Sequence, residues 1–408
     1  MKIQDILKRE IEKIKPNAEE FVLIKKKAEE FVSELEKARR KNKIKAEVFI
    51  GGSLAKRTIL KRKEYDIDIF VRFDKKYEDG KISELLAKLI RGKRIHGSRD
   101  YFQVEKGGII FEVIPVVKVN KAKEARNVTD LSFFHVSYVK NKIKKKPKLA
   151  DEIMLAKHFC YAQKCYGAES YIKGFSGYAL ELLIVYYKGF VNFLKAIAKS
   201  KEQIVIDPEK YYKNKEDVLQ NLNEAKITSI VFVDPTFKER NALAGLSKET
   251  FEKFKIIAKK FWSKPSVNYF KEKEIDEKKF NLILEAVTNK QEGDIAGSKL
   301  LKFSNFLALE IEKYFLINNR EFEYDNKKKA IFFFNIKKRK ERILSGPPIT
   351  SLENVVAFKK KHKHVFIKDS RVYAKEKVSM NVRGFVLGFR KENKTRMKDM
   401  GITGLKLG

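Results

Sequence analysis

Apolar residues recur at helical spacing through Phe21, Ala28, Phe31, Val32, Leu35 and Ala38, which gives one apolar face. The pattern predicts helices over residues 3–14 and 17–41, separated by Pro16 and placed to cover one face of a following sheet. The period then changes. Glu47–Ile50 and Tyr65–Val71 read as strands, residues 82–90 as an amphipathic helix, and Tyr101–Val119 as a β-hairpin turning at Lys106-Gly107-Gly108. Further along, residues 151–164 and 176–199 read as helices around a Lys173–Tyr178 turn. Ile204–Asp207 and Ile230–Pro235 read as short strands, and residues 247–262 as a helix capped by Ser247. In the last third, residues 280–288 and 300–315 read as helices and 330–336 as an aromatic strand. A basic, proline-bearing connector (141–148) and Lys264-Pro265-Ser266 mark boundaries. The fold class expected is therefore α/β and α+β, in several domains.

Composition narrows the partners. The 408 residues are 43% hydrophobic, enough for two to four folded cores. Lys and Arg number 90 against 54 Asp and Glu, a net charge of +36 spread along the whole chain. Adaptation to heat raises both signs together, so the imbalance points to a polyanionic partner, with nucleic acid first. Cys160 and Cys165 form no zinc-type spacing and the five histidines are scattered. The N-terminus is charged from Lys2 onward, unlike a signal peptide. The apolar run around Tyr178–Leu194 is interrupted by Glu181 and Lys188 and is too short to span a bilayer. A soluble, cytoplasmic protein is expected.

The chemistry concentrates between Ala46 and Val71. Strand alternation puts Asp66 and Asp68 on one face and Ile67, Ile69 and Val71 on the other. Two adjacent carboxylates repel unless a cation sits between them, and a hard oxygen-seeking ion such as Mg²⁺ suits that place. Gly51-Gly52-Ser53 can turn backbone N–H groups toward an anion, with Lys56 and Arg57 supplying positive charge just beyond. Together these are the parts needed for transfer from a nucleoside triphosphate. Glu112 sits inside an apolar strand. It reads as a satisfied core acid, an edge residue or a third ligand, and the metal role is favoured because Asp66 and Asp68 call for one.

With twelve residues between Ser53 and Asp66, the Gly-Ser…Asp-x-Asp order resembles the signature of the nucleotidyltransferase superfamily that includes DNA polymerase β. The strings Tyr166-Gly167-Ala168-Glu169, Lys173–Tyr178 and Glu181-Leu182-Leu183 narrow the resemblance to the archaeal, class I CCA-adding enzymes. Asp234-Pro235, Arg240-Asn241, Leu246-Ser247, Gly346-Pro347-Pro348 and Arg371-Val372-Tyr373 extend it nearly end to end. The resemblance implies a catalytic head with a mixed sheet and helices over 1–140, a helical neck over 141–264, and an α+β body and tail over 265–408. It implies addition of C, C and A to a tRNA 3′ end from CTP and ATP, with Mg²⁺ and no nucleic-acid template.

By the same resemblance Asp66, Asp68 and Glu112 are the catalytic metal carboxylates, Glu112 standing where many relatives carry Asp. Gly52, Ser53 and Lys56 would hold triphosphate, together with Lys157 and Tyr166. Ser132 and His135 would meet the sugar, and Arg240 the base edge. Lys337, Lys338, Arg339, Lys340 and Arg342 are the expected RNA contacts, chosen for their charge. A homodimer is entertained as the assembly. The rival readings are a poly(A) polymerase on the same head, which a test of CTP use would separate, and a tRNA-binding protein without activity, which would lack a carboxylate.

Overall fold

Two parallel strands, β2 (Tyr65–Phe73) and β5 (Ile109–Val117), form the centre of the first sheet, with Asp68 opposite Glu112 in register. This computed structural model describes residues 2–408, in two compact units that divide between Lys273 and Glu274. The first unit opens with α1 (Ile3–Ile14), α2 (Ala18–Lys41), β1 (Ala46–Ile50) and the single turn α3 (Gly52–Ala55). After β2 come α4 (Ile82–Ala87), β3 (Lys93–Ile95), β4 (Tyr101–Lys106) and β5, completing a sheet of order β1-β2-β5-β4-β3. Only the β2–β5 pairing is parallel.

The two opening helices form as their periodicity predicts. Pro16 separates them, and the Asn17 side chain caps α2 by accepting from the Glu20 N–H at 2.7 Å. The Ile24, Ala28, Phe31 and Leu35 face is buried on the sheet, where Phe31 stacks on Phe111 with ring centroids 4.1 Å apart.

The unit continues with α5 (Ser132–Lys145), α6 (Lys148–Ala162), α7 (Gly177–Tyr187) and α8 (Phe190–Lys199). Next come β6 (Ile204–Ile206), α9 (Lys215–Asn221), β7 (Ile230–Asp234), β8 (Phe237–Asn241) and α10 (Lys248–Ser263). Phe159, Phe175, Phe190, Phe193, Phe254 and Phe261 are fully buried in one core among these helices.

Several elements differ from expectation. Residues 176–199 are two helices, because Lys188 (φ 59°) and Gly189 (φ 147°) leave the helical region. The 141–148 connector is mostly helix, α5 running to Lys145 and breaking only at Lys146-Pro147. The helix expected over 82–90 ends at Ala87.

In the second unit, β9 (Leu282–Thr288) lies where residues 280–288 were expected to be helical. Its residues alternate between buried and half-buried, and the strands Lys329–Lys338 and Ile402–Leu407 pair on either side. A short, mostly apolar stretch does not choose between the two periods by itself; the neighbouring strands do. The helix expected over 300–315 is α11 (Asp294–Glu312), followed by β10 (Phe315–Tyr324) and β11 (Lys329–Lys338). The remaining elements are β12 (Glu341–Pro348), α12 (Leu352–Lys361), β13 (His364–Lys368), β14 (Arg371–Lys377), α13 (Val382–Glu392), α14 (Lys394–Asp399) and β15 (Ile402–Leu407). They build one sheet of order β10-β11-β9-β15 and another of order β12-β14-β13. Among the described residues no helix is long and apolar enough to cross a membrane.

Candidate active site

The expected site residues fall into three clusters in the first unit. The first lies on the face of the β2–β5 pair away from the α2 core. Asp66 is exposed and Asp68 half-buried there, while Ile67, Ile69 and Val71 are buried on the other side. Glu112, half-buried on β5, is the register partner of Asp68, and Gln103 on β4 is the register partner of Glu112. The Gln103 side-chain amide donates to Glu112 Oε1 at 2.9 Å.

Electrostatics make this row unstable as three bare anions. Burial raises the Asp68 carboxyl, and the charge of Asp66 adds to it. Burial, then Asp68 and Asp66, push Glu112 up to about 7. Burial also raises Asp66. Among the described residues no three His, Cys, Asp or Glu side chains are already gathered around a common point as a metal-binding group. The donors fit a cation all the same, being oxygen-only, aligned on one sheet face and raised in pKa by burial and then by one another's charge, which a divalent ion would balance.

The α3 turn explains its own glycines. Gly51 donates its N–H to the Asp68 carbonyl at 2.8 Å, and a Cβ on it would lie 2.2 Å from the Phe70 ring. Gly52 has φ +53°, and a Cβ there would sit 1.6 Å from Asp68 Oδ2. The Asp68 carboxylate thus occupies the space that a side chain at 52 would need. Ser53 follows, half-buried, with its carbonyl accepting from the Thr58 N–H at 2.9 Å.

The second cluster is buried and ionic. Lys56 Nζ meets Glu181 Oε2 at 2.7 Å, and Lys157 Nζ meets Glu181 Oε1 at 2.8 Å. Lys157 also donates to Thr58 Oγ1 at 3.0 Å. Burial works to raise Glu181, but Lys157 and Lys56 outweigh it and hold the carboxyl low. Tyr166 belongs to the same place. A Cβ on Gly177 would lie 3.0 Å from the Tyr166 hydroxyl and 3.9 Å from Lys157 Cε. Burial, then the charge of Glu181, push the Tyr166 phenol up to about 12.

The third cluster gathers on Asp234, at the end of β7 and fully buried. It accepts from Tyr178 Oη at 3.0 Å, Arg240 Nη1 at 2.6 Å, and both the N–H and the hydroxyl of Thr236. His135 stacks on Tyr178, centroids 4.0 Å apart, with Nε2 3.2 Å from Asp234 Oδ2 but without an aligned hydrogen bond. Burial lowers the His135 pKa. Burial opposes ionisation of Asp234, yet His135 and Arg240 hold it well below the usual carboxylate range. Ser132 opens α5 one turn before His135. Arg240 also lines a cavity of about 580 Å³ with Arg126, Asn127, Ser176, Lys226 and Glu239.

The expected RNA contacts lie in the second unit, where Lys337, Lys338 and Lys340 are exposed. Arg339 and Arg342 already have internal partners: Arg339 donates to the Glu312 and Phe315 carbonyls, and Arg342 pairs with Glu376 at 2.9 Å. Nothing in the sequence alone marks Glu181 or Asp234 as a hub, or Gln103 as a partner of Glu112. The signal available was an acid within an apolar helix or strand, which implies a partner without naming it.

Comparison with known proteins identifies the family. Residues 1–140 match the Second Messenger Oligonucleotide or Dinucleotide Synthetase domain, and residues 151–271 match the second domain of tRNA nucleotidyltransferase. The CCA-adding enzyme of Nanoarchaeum equitans is 34% identical over 376 residues, which is 90% of this chain and 92% of that protein. The chain belongs to the CCA-adding enzyme family. A second member, from Methanocaldococcus jannaschii, is 30% identical over 91% of this chain and 87% of its own length. Solved structures of a cytoplasmic RNA terminal U-transferase and of the Cid1 poly(U) polymerase superpose with TM-scores of 0.51 and 0.51 at 15% and 15% identity. They cover 67% and 66% of this chain and 98% and 98% of their own, and show a shared nucleotidyltransferase fold. Nucleotidyltransferases of this kind work with a divalent metal.

Proposed function

We propose that this protein adds C, C and A to the 3′ end of immature or damaged tRNA, taking CTP and ATP without a nucleic-acid template. The observation that carries the reading is the row Asp66, Asp68 and Glu112 beside a Gly-Ser turn whose Gly52 is shaped around Asp68. In the reaction the tRNA 3′-hydroxyl gives up its proton to solvent and its oxygen bonds to the nucleotide α-phosphorus. The bond from that phosphorus to the bridging oxygen breaks, and pyrophosphate leaves.

Asp66, Asp68 and Glu112 would hold Mg²⁺. When bound, magnesium lowers the pKa of the attacking hydroxyl and offsets charge on the triphosphate. Gly52 and Ser53 present the turn to the phosphates, with Lys56, Lys157 and Tyr166 beside them. His135, whose Nε2 lacks an aligned partner, and Ser132 face the sugar. Arg240, fixed through Asp234, offers paired donors to a base edge. Residues 1–140 act as the head, 141–264 as the neck and 265–408 as the tRNA-binding body and tail. We also propose a cytoplasmic setting and a homodimer, and sedimentation of the purified protein checks the latter.

The test is direct. Purified protein and Mg²⁺ are incubated with tRNA transcripts ending at the discriminator base, with CTP, ATP or both. Two additions from CTP, and one further A only with both nucleotides, are expected. A long homopolymer ladder, or no product, would overturn the reading.

A further inference from the structure

Glu181 lies in α7, on an otherwise apolar stretch, with 1% of its surface exposed. Its two carboxylate oxygens are divided between two lysines from different elements. Lys56 follows the α3 turn, and Lys157 comes from α6. Thr58, fully buried, joins the two halves by accepting from Lys157 while its own N–H reaches the Ser53 carbonyl. One carboxylate therefore ties the Gly-Ser turn to two helices.

Two ammonium groups against one carboxylate leave the cluster one positive charge in excess. An ammonium has three N–H donors. Lys56 spends one on Glu181, and Lys157 spends two, on Glu181 and Thr58. Donors thus remain on both lysines, in a buried place beside the turn. Such a cluster is suited to an incoming anion rather than closed upon itself.

Removal of the carboxylate has two consequences. A buried ammonium left without its counter-charge is costly, so neither lysine would keep its present position beside the turn. The charges of both lysines also act on Asp68. Without Glu181 they would pair with Asp68 and compete with the metal.

We infer that Glu181 is a positioning residue for the triphosphate. It holds Lys56 and Lys157 in place beside the Gly52–Ser53 turn and away from Asp68, without itself touching the nucleotide. The inference rests on the proposed reading of that turn as the triphosphate site. It acts at the phosphates, so it makes no distinction between CTP and ATP.

The experiment measures equilibrium binding of CTP, ATP and inorganic tripolyphosphate to the full chain without tRNA, and then CTP and ATP kinetics with tRNA. Glu181→Gln is expected to weaken all three ligands by about tenfold and by a common factor, raising KM more than it lowers kcat. In a chain already carrying Lys56→Met and Lys157→Met, the same substitution should add less than twofold, because its effect passes through those lysines. A full tenfold loss in that background, or unequal losses for CTP and ATP, would mean Glu181 only supports the fold and would overturn the inference. Glu181→Asp keeps the charge and shortens its reach, so intermediate losses are expected. If Glu181→Gln does not fold, parental affinity in Glu181→Asp overturns the inference and a graded loss supports it. Should the parent bind nucleotides in the expected Glu181-dependent way yet add nothing to tRNA, the proposed function fails while the role of Glu181 stands.

Discussion

At the scale of the residue, the carboxylate row governs both activity and stability. Asp66→Ala or Asp68→Ala should lower nucleotide transfer by about 10³-fold or more while tRNA affinity stays near parental. Transfer assays beside filter binding read both, and retained turnover would sink the metal assignment. Glu112 makes a prediction of opposite sign for stability. Its carboxyl is pushed from 4.5 to about 7 by burial, then Asp68 and Asp66, so the folded chain retains a proton that the unfolded chain releases. That charge costs stability progressively as pH rises from 4.5 to 7, and fully above. In metal-free buffer Glu112→Gln should therefore melt above the parent at pH 8. The gap should close as pH falls through 7 and vanish below 4.5. Magnesium should raise the parent's melting temperature at pH 8 by more than the variant's. Thermal unfolding with and without metal measures both, and equal melting at both pH values would refute it.

At the scale of the element, the α3 turn works because it is too short and too tight for ordinary side chains. Gly52→Ala combines a left-handed φ of +53° with a Cβ placed 1.6 Å from Asp68 Oδ2, so backbone strain and displacement of a carboxylate arrive together. Loss of transfer by at least about 10²-fold is expected. Melting should change by only a few degrees, in line with a local cost of about 1–3 kcal/mol. A variant with parental kcat would show that Asp68 tolerates a different position. The same turn shows how legible the site was. Gly-Gly-Ser followed by Asp-x-Asp could be read because each piece is local. Its dependence on Glu181, 125 positions beyond Lys56, could not.

At the scale of the molecule, the net charge of +36 is a statement about partners, but not every cation is available to one. Arg339 and Arg342 are engaged within the second unit, whereas Lys337, Lys338 and Lys340 are exposed. Neutralising these three lysines should weaken tRNA binding and reduce the slope of log affinity against log salt by up to about 3. The pair Arg339→Gln and Arg342→Gln should instead lower the melting temperature with little change in slope. Titrations at four salt concentrations decide between them, and an unchanged slope in the lysine variant would remove that stretch from the interface.

The sequence by itself determined what depends on near neighbours. Helical spacing over residues 17–41 announced α2, and strand alternation placed Asp66 and Asp68 on one face, because side-chain direction follows from local backbone period. The charge balance and the absence of zinc-type cysteine spacing were likewise complete in the chain. Tertiary structure decided whatever depends on pairing across distance. Parallel pairing of β2 with β5 brings Glu112 opposite Asp68. Neighbouring strands make residues 282–288 a strand where the local pattern read as helix. Packing of α7 supplies the carboxylate that Lys56 and Lys157 share, and β7 brings Asp234 to His135, Tyr178 and Arg240. A buried charge must find a partner, and which one it finds is set by the register and packing of segments far apart in the chain.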